Sequence, residues 1–366
     1  MGNRLRKTIL ATLVFALPGL SPALAAVEES TFGTLPTGET VRAFSLENEQ
    51  GTRVRLCEYG ALLLSVETRD RNGTRARITL SYATLDEALA GGVFGSVIGR
   101  FANRIDGGGF TIDGVRHDLE SVHPRTGVHI HGGKTGFHRQ LWNGRITGPS
   151  SVEFSLESPD GHEGYPGRVR VSIRYSLSAD NTLRLVYSGT TDRATHLNLT
   201  NHVYFNLAGK GDLSRHELTV HSERILDCDD RRIPTGRLNP VADTPFDFRS
   251  ARPLGDILPQ IPGGGLDHFF VRQPDGERSA ESKLPVFARL EHAPSGRVLE
   301  VATNQPGAQI YSANHFKGQP FPRWGGICFE TQGHPDAPNR PEFPSTVLRP
   351  GENYRHLTEF RFSLTD

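Results

Sequence analysis

The chain of 366 residues carries 41 Lys and Arg against 41 Asp and Glu, so it has no global field to draw in nucleic acid or an anionic membrane surface. With 40 Gly, 24 Pro and only 22% charged residues it is rich in turns and poor in long charged helices, a composition that predicts an all-β protein. Its length exceeds that of the usual domain, but large β-sandwiches run past about two hundred residues as one unit, so a single core is sufficient.

Arg4, Arg6 and Lys7 precede an apolar run from Thr8 to Leu20 and then Ala23-Leu24-Ala25. This is the pattern of a secretory signal peptide over residues 1–25, with cleavage after Ala25. The run is too short to span a bilayer comfortably, and no later stretch is long enough. The expected mature protein is therefore periplasmic or secreted and free of the membrane; an uncleaved anchor is the other reading of the same run. Residues 26–38 are polar and turn-rich and read as a leader, followed by one domain over 39–366. Cys57, Cys228 and Cys328 form an odd, widely spaced set, read as mostly buried thiols, with a single bridge as the alternative.

From Thr40 onward strands and turns alternate, clearly so in Val54-Arg55-Leu56 and Leu183-Arg184-Leu185-Val186-Tyr187. Thr84-Leu85-Asp86-Glu87 has the form of a capping box, and the short helix it starts must stop at Gly91-Gly92. Asp113-Gly114 between Phe110-Thr111-Ile112 and Val115-Arg116-His117 predicts an antiparallel hairpin, because both central positions of a type I′ turn need positive φ. No repeat, heptad or low-complexity linker divides the chain.

Four segments hold more ionisable groups than a plain β core tolerates, each beside a Gly, Pro or Asn. In Gly99-Arg100-Phe101-Ala102-Asn103-Arg104-Ile105, Arg104 offers a planar fork of donors and Asn103 both donates and accepts, which suits sugar hydroxyls; a surface Arg beside a buried Asn is the plain reading. In His129-Ile130-His131-Gly132-Gly133 the two histidines, taken as a strand, point the same way, which suits a sugar or a metal. No third ligand lies at a familiar zinc spacing, so no metal is expected. Leu197-Asn198-Leu199-Thr200-Asn201-His202-Val203-Tyr204-Phe205-Asn206-Leu207 reads as an alternating strand that sets His202 in an apolar pocket, where an imidazole can give and take a proton near neutrality; a core histidine bonded to backbone is the alternative. In Gly326-Ile327-Cys328-Phe329-Glu330, the carboxylate follows a strand and precedes the Pro-rich loop Gly333-His334-Pro335-Asp336-Ala337-Pro338-Asn339, which places it at the mouth of a sheet. Asp267, after Gly263-Gly264-Gly265, either clamps a pair of hydroxyls or ends a turn.

Together these segments resemble the aldose 1-epimerases, also called galactose mutarotases. The resemblance rests on Gly99–Ile105, His131-Gly132-Gly133 with Gly136-Phe137, Ser158-Pro159-Asp160-Gly161 with Gly164-Tyr165-Pro166-Gly167, and Asn201–Leu207. It continues through Pro234-Thr235-Gly236, Thr244-Pro245-Phe246-Asp247-Phe248, Leu266-Asp267-His268 and Glu330-Thr331-Gln332 to Phe343-Pro344-Ser345. It implies a large antiparallel β-sandwich of the galactose mutarotase-like supersandwich type, with an open cleft for a free monosaccharide. It also implies Glu330 as general base, His202 as general acid, and His131, Arg104 and Asp267 as substrate-binding residues, with Asn103 and Gln309 as additions. The chemistry agrees. Glu330 takes the C1 hydroxyl proton while His202, as imidazolium, protonates the ring oxygen; the ring opens to an aldehyde and recloses on the other face, with no cofactor.

Other classes fit less well. A glycoside hydrolase would need Glu330 and Asp267 across a glycosidic bond and leaves the histidines idle. A non-catalytic sugar-binding sandwich leaves the Glu330 and His202 pair without a purpose. A phosphosugar epimerase would gather several cations, where these segments supply mainly Arg104. The preferred aldose and the oligomeric state stay open at this level.

Overall fold

The structure is a computed structural model that describes residues 26–273, 284–318 and 320–365; the signal segment 1–25 lies outside them. Alternating apolar positions build two large antiparallel sheets. The first has nine strands in the order Asn143–Gly148, Ser151–Ser158, Val169–Leu177, Thr182–Thr191, Tyr354–Leu364, Arg297–Thr303, Val286–His292, Glu217–Val220 and Arg252–Pro253. The second has seven, ordered Pro234–Pro240, Arg224–Cys228, Asp267–Val271, Gly307–Tyr311, Ile327–Gln332, Tyr204–Phe205 and Thr79–Leu80.

The sheets meet face to face around one core. Phe205 of the second sheet packs on Phe360 and Phe362 of the first, with ring centroids 5.0 Å and 6.3 Å away. The Thr331 and Thr358 hydroxyls bond across the same interface at 2.6 Å. Burying a ring such as Phe205 stabilises the fold by about 1.5–3 kcal/mol, and truncating it to Ala costs about 3–5 kcal/mol once the cavity is included.

Several local expectations hold. Asp113 and Gly114 have φ of 50° and 81°, and Ile112 pairs with Val115 across their turn. The helix Leu85–Ala90 is capped by Thr84, whose hydroxyl accepts from the Glu87 amide at 3.2 Å. All three cysteines are free thiols; Cys57 and Cys328 are buried and Cys228 is half-buried. No helix among the described residues is long and apolar enough to cross a membrane.

Two readings change. Glu28–Thr34, read as part of a leader, forms the edge strand of a five-stranded sheet by pairing with Thr40–Glu47. Its side chains are mostly exposed, so the strand is held by its backbone ladder and leaves no apolar alternation to read. The run Leu197–Leu207 is not one strand. The chain changes partner every few residues: Thr195–His196, just before the run, pairs with Val347–Leu348, Thr200–Asn201 with Val97–Ile98, and Tyr204–Phe205 with both Ile327–Gln332 and Thr79–Leu80. Asparagine side chains satisfy the backbone between these pairings. Asn198 bonds the Gly333 N–H and carbonyl, and the amides of Asn201 and Asn206 donate to the carbonyls of Gly95 and Gly325.

Candidate active site

The strand Ile327–Gln332 divides its residues between two tasks. Ile327, Phe329 and Thr331 face the core between the sheets, so Cys328, Glu330 and Gln332 face the other way. Gln309 lies directly across from Glu330 and also across from Phe269, while Tyr311 lies across from both Cys328 and Asp267. The register thus sets Asp267, Gln309 and Glu330 on one face of three adjacent strands. Gln309 Nε2 donates to Asp267 Oδ1 at 2.7 Å, which ties two of them together.

His202 reaches this face from the broken segment. Its Nε2 is 3.5 Å from Glu330 Oε1, and its ring centroid is 5.3 Å from that of His131. Arg104 completes the group, with a guanidinium nitrogen 3.8 Å from Asp267 Oδ2 and another donating to Asn103 Oδ1 at 3.3 Å. All seven residues singled out in the sequence therefore come together.

The loop that carries His131 is fixed by backbone. His131 and Asn103, with φ of 53° and 64°, clasp each other: the His131 N–H donates to the Asn103 carbonyl at 2.9 Å, and the Asn103 N–H donates to His131 Nδ1 at 3.2 Å. Since Nδ1 accepts, a neutral His131 carries its proton on Nε2 and can donate from there. Gly132 makes the close approach possible. Its φ is +78°, and a Cβ there would lie 1.8 Å from the Gly99 carbonyl oxygen. The expectation that His129 and His131 share a face fails here, because the strand ends at Ile130. His129 turns instead to the Glu120 carbonyl, at 2.8 Å, and the Tyr165 ring.

Burial controls the charges. Glu330 is 2% exposed and His202 4%. Loss of water pushes the Glu330 carboxyl up to about 8; the nearby Asp267 adds to this and Arg104 opposes it. Burial also pushes His202 down to about 4, against the pull of its own carbonyl and of Asp267. His131 is held well below its ordinary value, first by burial and then by His202 and Arg104. Both shifts favour an uncharged pair near neutral pH, a carboxylic acid beside a neutral imidazole. Among the described residues Glu330 Oε2 has no hydrogen-bond partner, although it is buried.

Sequence reasoning missed the wall behind His202. Tyr204 packs on that imidazole at 5.1 Å, and Phe94 and Phe316 pack on Tyr204 at 4.9 Å and 5.4 Å. These rings come from separate segments and carry no common signal. Cys328 was also missed, with Sγ 3.3 Å from His202 Nδ1. Its signal was present: it stands two residues from Glu330 in a strand. A metal is the other occupant the donors could accept, since His131, His202 and Glu330 each offer an atom within 4.8 Å of the others.

The chain matches the model of the aldose 1-epimerase family over residues 42–361. It is 41% identical over 352 residues to the galactose mutarotase of Sus scrofa, covering 93% of this chain and all of that one. It is 36% identical over 352 residues to the aldose 1-epimerase of Escherichia coli strain K12, covering 89% and 96%. A solved galactose 1-epimerase from Lactobacillus acidophilus superposes with a TM-score of 0.81 at 27% identity, covering 93% of this chain and 100% of that one. An aldose epimerase homologue from C. elegans gives the same TM-score at 28% identity, over 88% and 98%.

Proposed function

The chain belongs to the aldose 1-epimerase family and interconverts the anomers of a free aldose such as galactose or glucose, and we propose that Glu330 and His202 carry out the proton transfers. The observation that carries this reading is the buried contact of 3.5 Å between His202 Nε2 and Glu330 Oε1, beside Glu330 Oε2, which has no hydrogen-bond partner among the described residues.

Burial favours one mobile proton on Glu330 before sugar binds. When sugar enters, that proton passes to His202 Nε2, giving a carboxylate and an imidazolium. Glu330 Oε2 then takes the proton of the C1 hydroxyl, the O1 electron pair forms the C1 carbonyl, and the bond from C1 to the ring oxygen breaks. His202 Nε2 supplies the proton that the ring oxygen needs. Rotation about C1–C2 and reversal of both transfers closes the other anomer. The open-chain stage returns the pair to the acid and neutral imidazole that burial favours.

The remaining residues hold the sugar. Nε2–H of His131 donates toward the ring oxygen, the Arg104 fork and Asn103 bind hydroxyls, and Asp267, oriented by Gln309, accepts from a pair of them. Asp267 is already engaged by Gln309 and Arg104, which suits a clamp better than the second acid of a hydrolase. We further propose that residues 1–25 direct export, on the strength of Arg4, Arg6 and Lys7 before the apolar run and of Ala23-Leu24-Ala25 after it.

The test is polarimetric decay of freshly dissolved α-galactose and α-glucose with the wild-type protein, Glu330→Gln and His202→Asn. Acceleration that disappears in both variants is the expected result. A folded wild-type protein that leaves both decays at the buffer rate would point instead to a sugar-binding protein.

A further inference from the structure

Cys328 and Glu330 lie two residues apart on one strand and share its site face. His202 is held between them: Cys328 Sγ is 3.3 Å from Nδ1, and Glu330 Oε1 is 3.5 Å from Nε2. A neutral imidazole carries its proton on only one ring nitrogen. With the proton on Nε2, no lone pair faces Glu330 and the mobile proton has no acceptor. With the proton on Nδ1, Nε2 is free to receive it, and the buried Nδ1–H has two acceptors in reach, its own backbone carbonyl and the Cys328 sulfur, which packs with Leu80, Tyr204 and Ala313.

We propose that Cys328 is a positioning residue whose sulfur accepts the Nδ1–H of His202 and holds the tautomer in which Nε2 exchanges protons with Glu330 and the sugar ring oxygen. The proposal rests on the epimerase reading. Burial supports it, because the thiol is driven well above its ordinary pKa and remains a neutral acceptor that does not capture the proton being moved. The same contact serves the imidazolium, which also presents Nδ1–H to the sulfur, so Cys328 keeps one role through the cycle.

The experiment combines histidine-selective ¹⁵N spectra at pH 7.5 with steady-state kinetics on wild type, Cys328→Ala and Cys328→Ser, the His202 signal being assigned by its loss in His202→Asn. In wild type the spectrum should show Nδ1 protonated. In Cys328→Ala the ring should move toward the Nε2–H form, and kcat should fall about 10- to 100-fold, as on loss of other residues that orient a histidine, with KM nearly unchanged. Cys328→Ser, which keeps a small acceptor, should restore both.

A wild-type ring protonated on Nε2 would overturn the proposal. So would a Cys328→Ala protein that retains the Nδ1–H form and full kcat, which would show that the ring's own carbonyl suffices. Equal losses in the Ala and Ser variants with lowered melting temperature would reduce Cys328 to a packing residue. Should wild type fail to speed anomer exchange, the epimerase reading falls, while the tautomer spectra still report on the sulfur.

Discussion

His202 Nε2 and Glu330 Oε1 are 3.5 Å apart in a setting that pushes the carboxyl up to about 8 and the imidazole down to about 4. Both shifts favour the uncharged pair even with Arg104 opposing that of Glu330, so in the proposed cycle the ion pair forms when sugar binds. Glu330→Gln removes the base without changing the shape of the site. It should lower kcat by about 10²- to 10⁴-fold while KM changes little, as read by polarimetry. Near-normal turnover in a folded Glu330→Gln protein would move the base elsewhere.

Arg104 touches Asn103 and Asp267 and faces the cleft half-buried, so its contribution should appear in binding. Arg104→Met keeps an unbranched apolar stem and deletes the fork. Hydrogen bonds to a charged donor are worth about 1.5–3 kcal/mol, which corresponds to a rise in KM of roughly 10- to 100-fold. An unchanged KM for both galactose and glucose would place Arg104 outside the sugar contacts.

Acid should unfold this protein steeply. His138, His196, His202, His268 and His334 are pushed down to about 4 by burial, and His216 and His356 to about 3. Each has a folded pKa below its unfolded value, so its contribution is fully present above about pH 6.5 and is lost as pH falls toward 4, where the unfolded chain binds more protons. Urea midpoints measured at pH 7.5, 6 and 5 should fall progressively; a midpoint independent of pH over that span would contradict the burial of these rings. Glu330 acts in the opposite sense. Its raised carboxyl weakens the fold as pH climbs from about 4.5 to 8, so Glu330→Gln should be more stable than wild type above pH 8 and equal to it near pH 4.5.

Prolonged dialysis against EDTA should leave kcat unchanged, because every proton transfer proposed above uses a side chain. Added zinc should inhibit, in competition with sugar, by drawing on His131, His202 and Glu330, whose donor atoms lie within 4.8 Å of one another. Loss of activity on chelation, restored by metal, would reassign the chemistry of the site.

Much of the site was legible because the chain writes it in short contiguous strings. Asn103 and Arg104, His131 with its glycines, and Glu330 after a strand each announce polar groups inside apolar text. The tautomer clasp between Asn103 and His131 was not legible, since it depends on two left-handed residues meeting through space. The same holds for the Leu197–Leu207 segment, whose alternation is that of a strand although its asparagines release it from any one partner. The lowered pKa of His202 was not legible for a related reason. The rings that exclude water from it, Tyr204, Phe94 and Phe316, are distant in sequence, and desolvation is a property of their assembly.

The strand Ile327–Gln332 writes core and chemistry on alternate letters of one six-residue word. A one-residue slip would exchange them, sending Glu330 between the sheets and Phe329 into the cleft. Insertions and deletions inside this word are therefore closed to evolutionary drift. A duplicated copy of the gene could acquire a new sugar preference through the other segments that border the cleft, while Glu330 should be inherited together with its hydrophobic neighbours as a single unit.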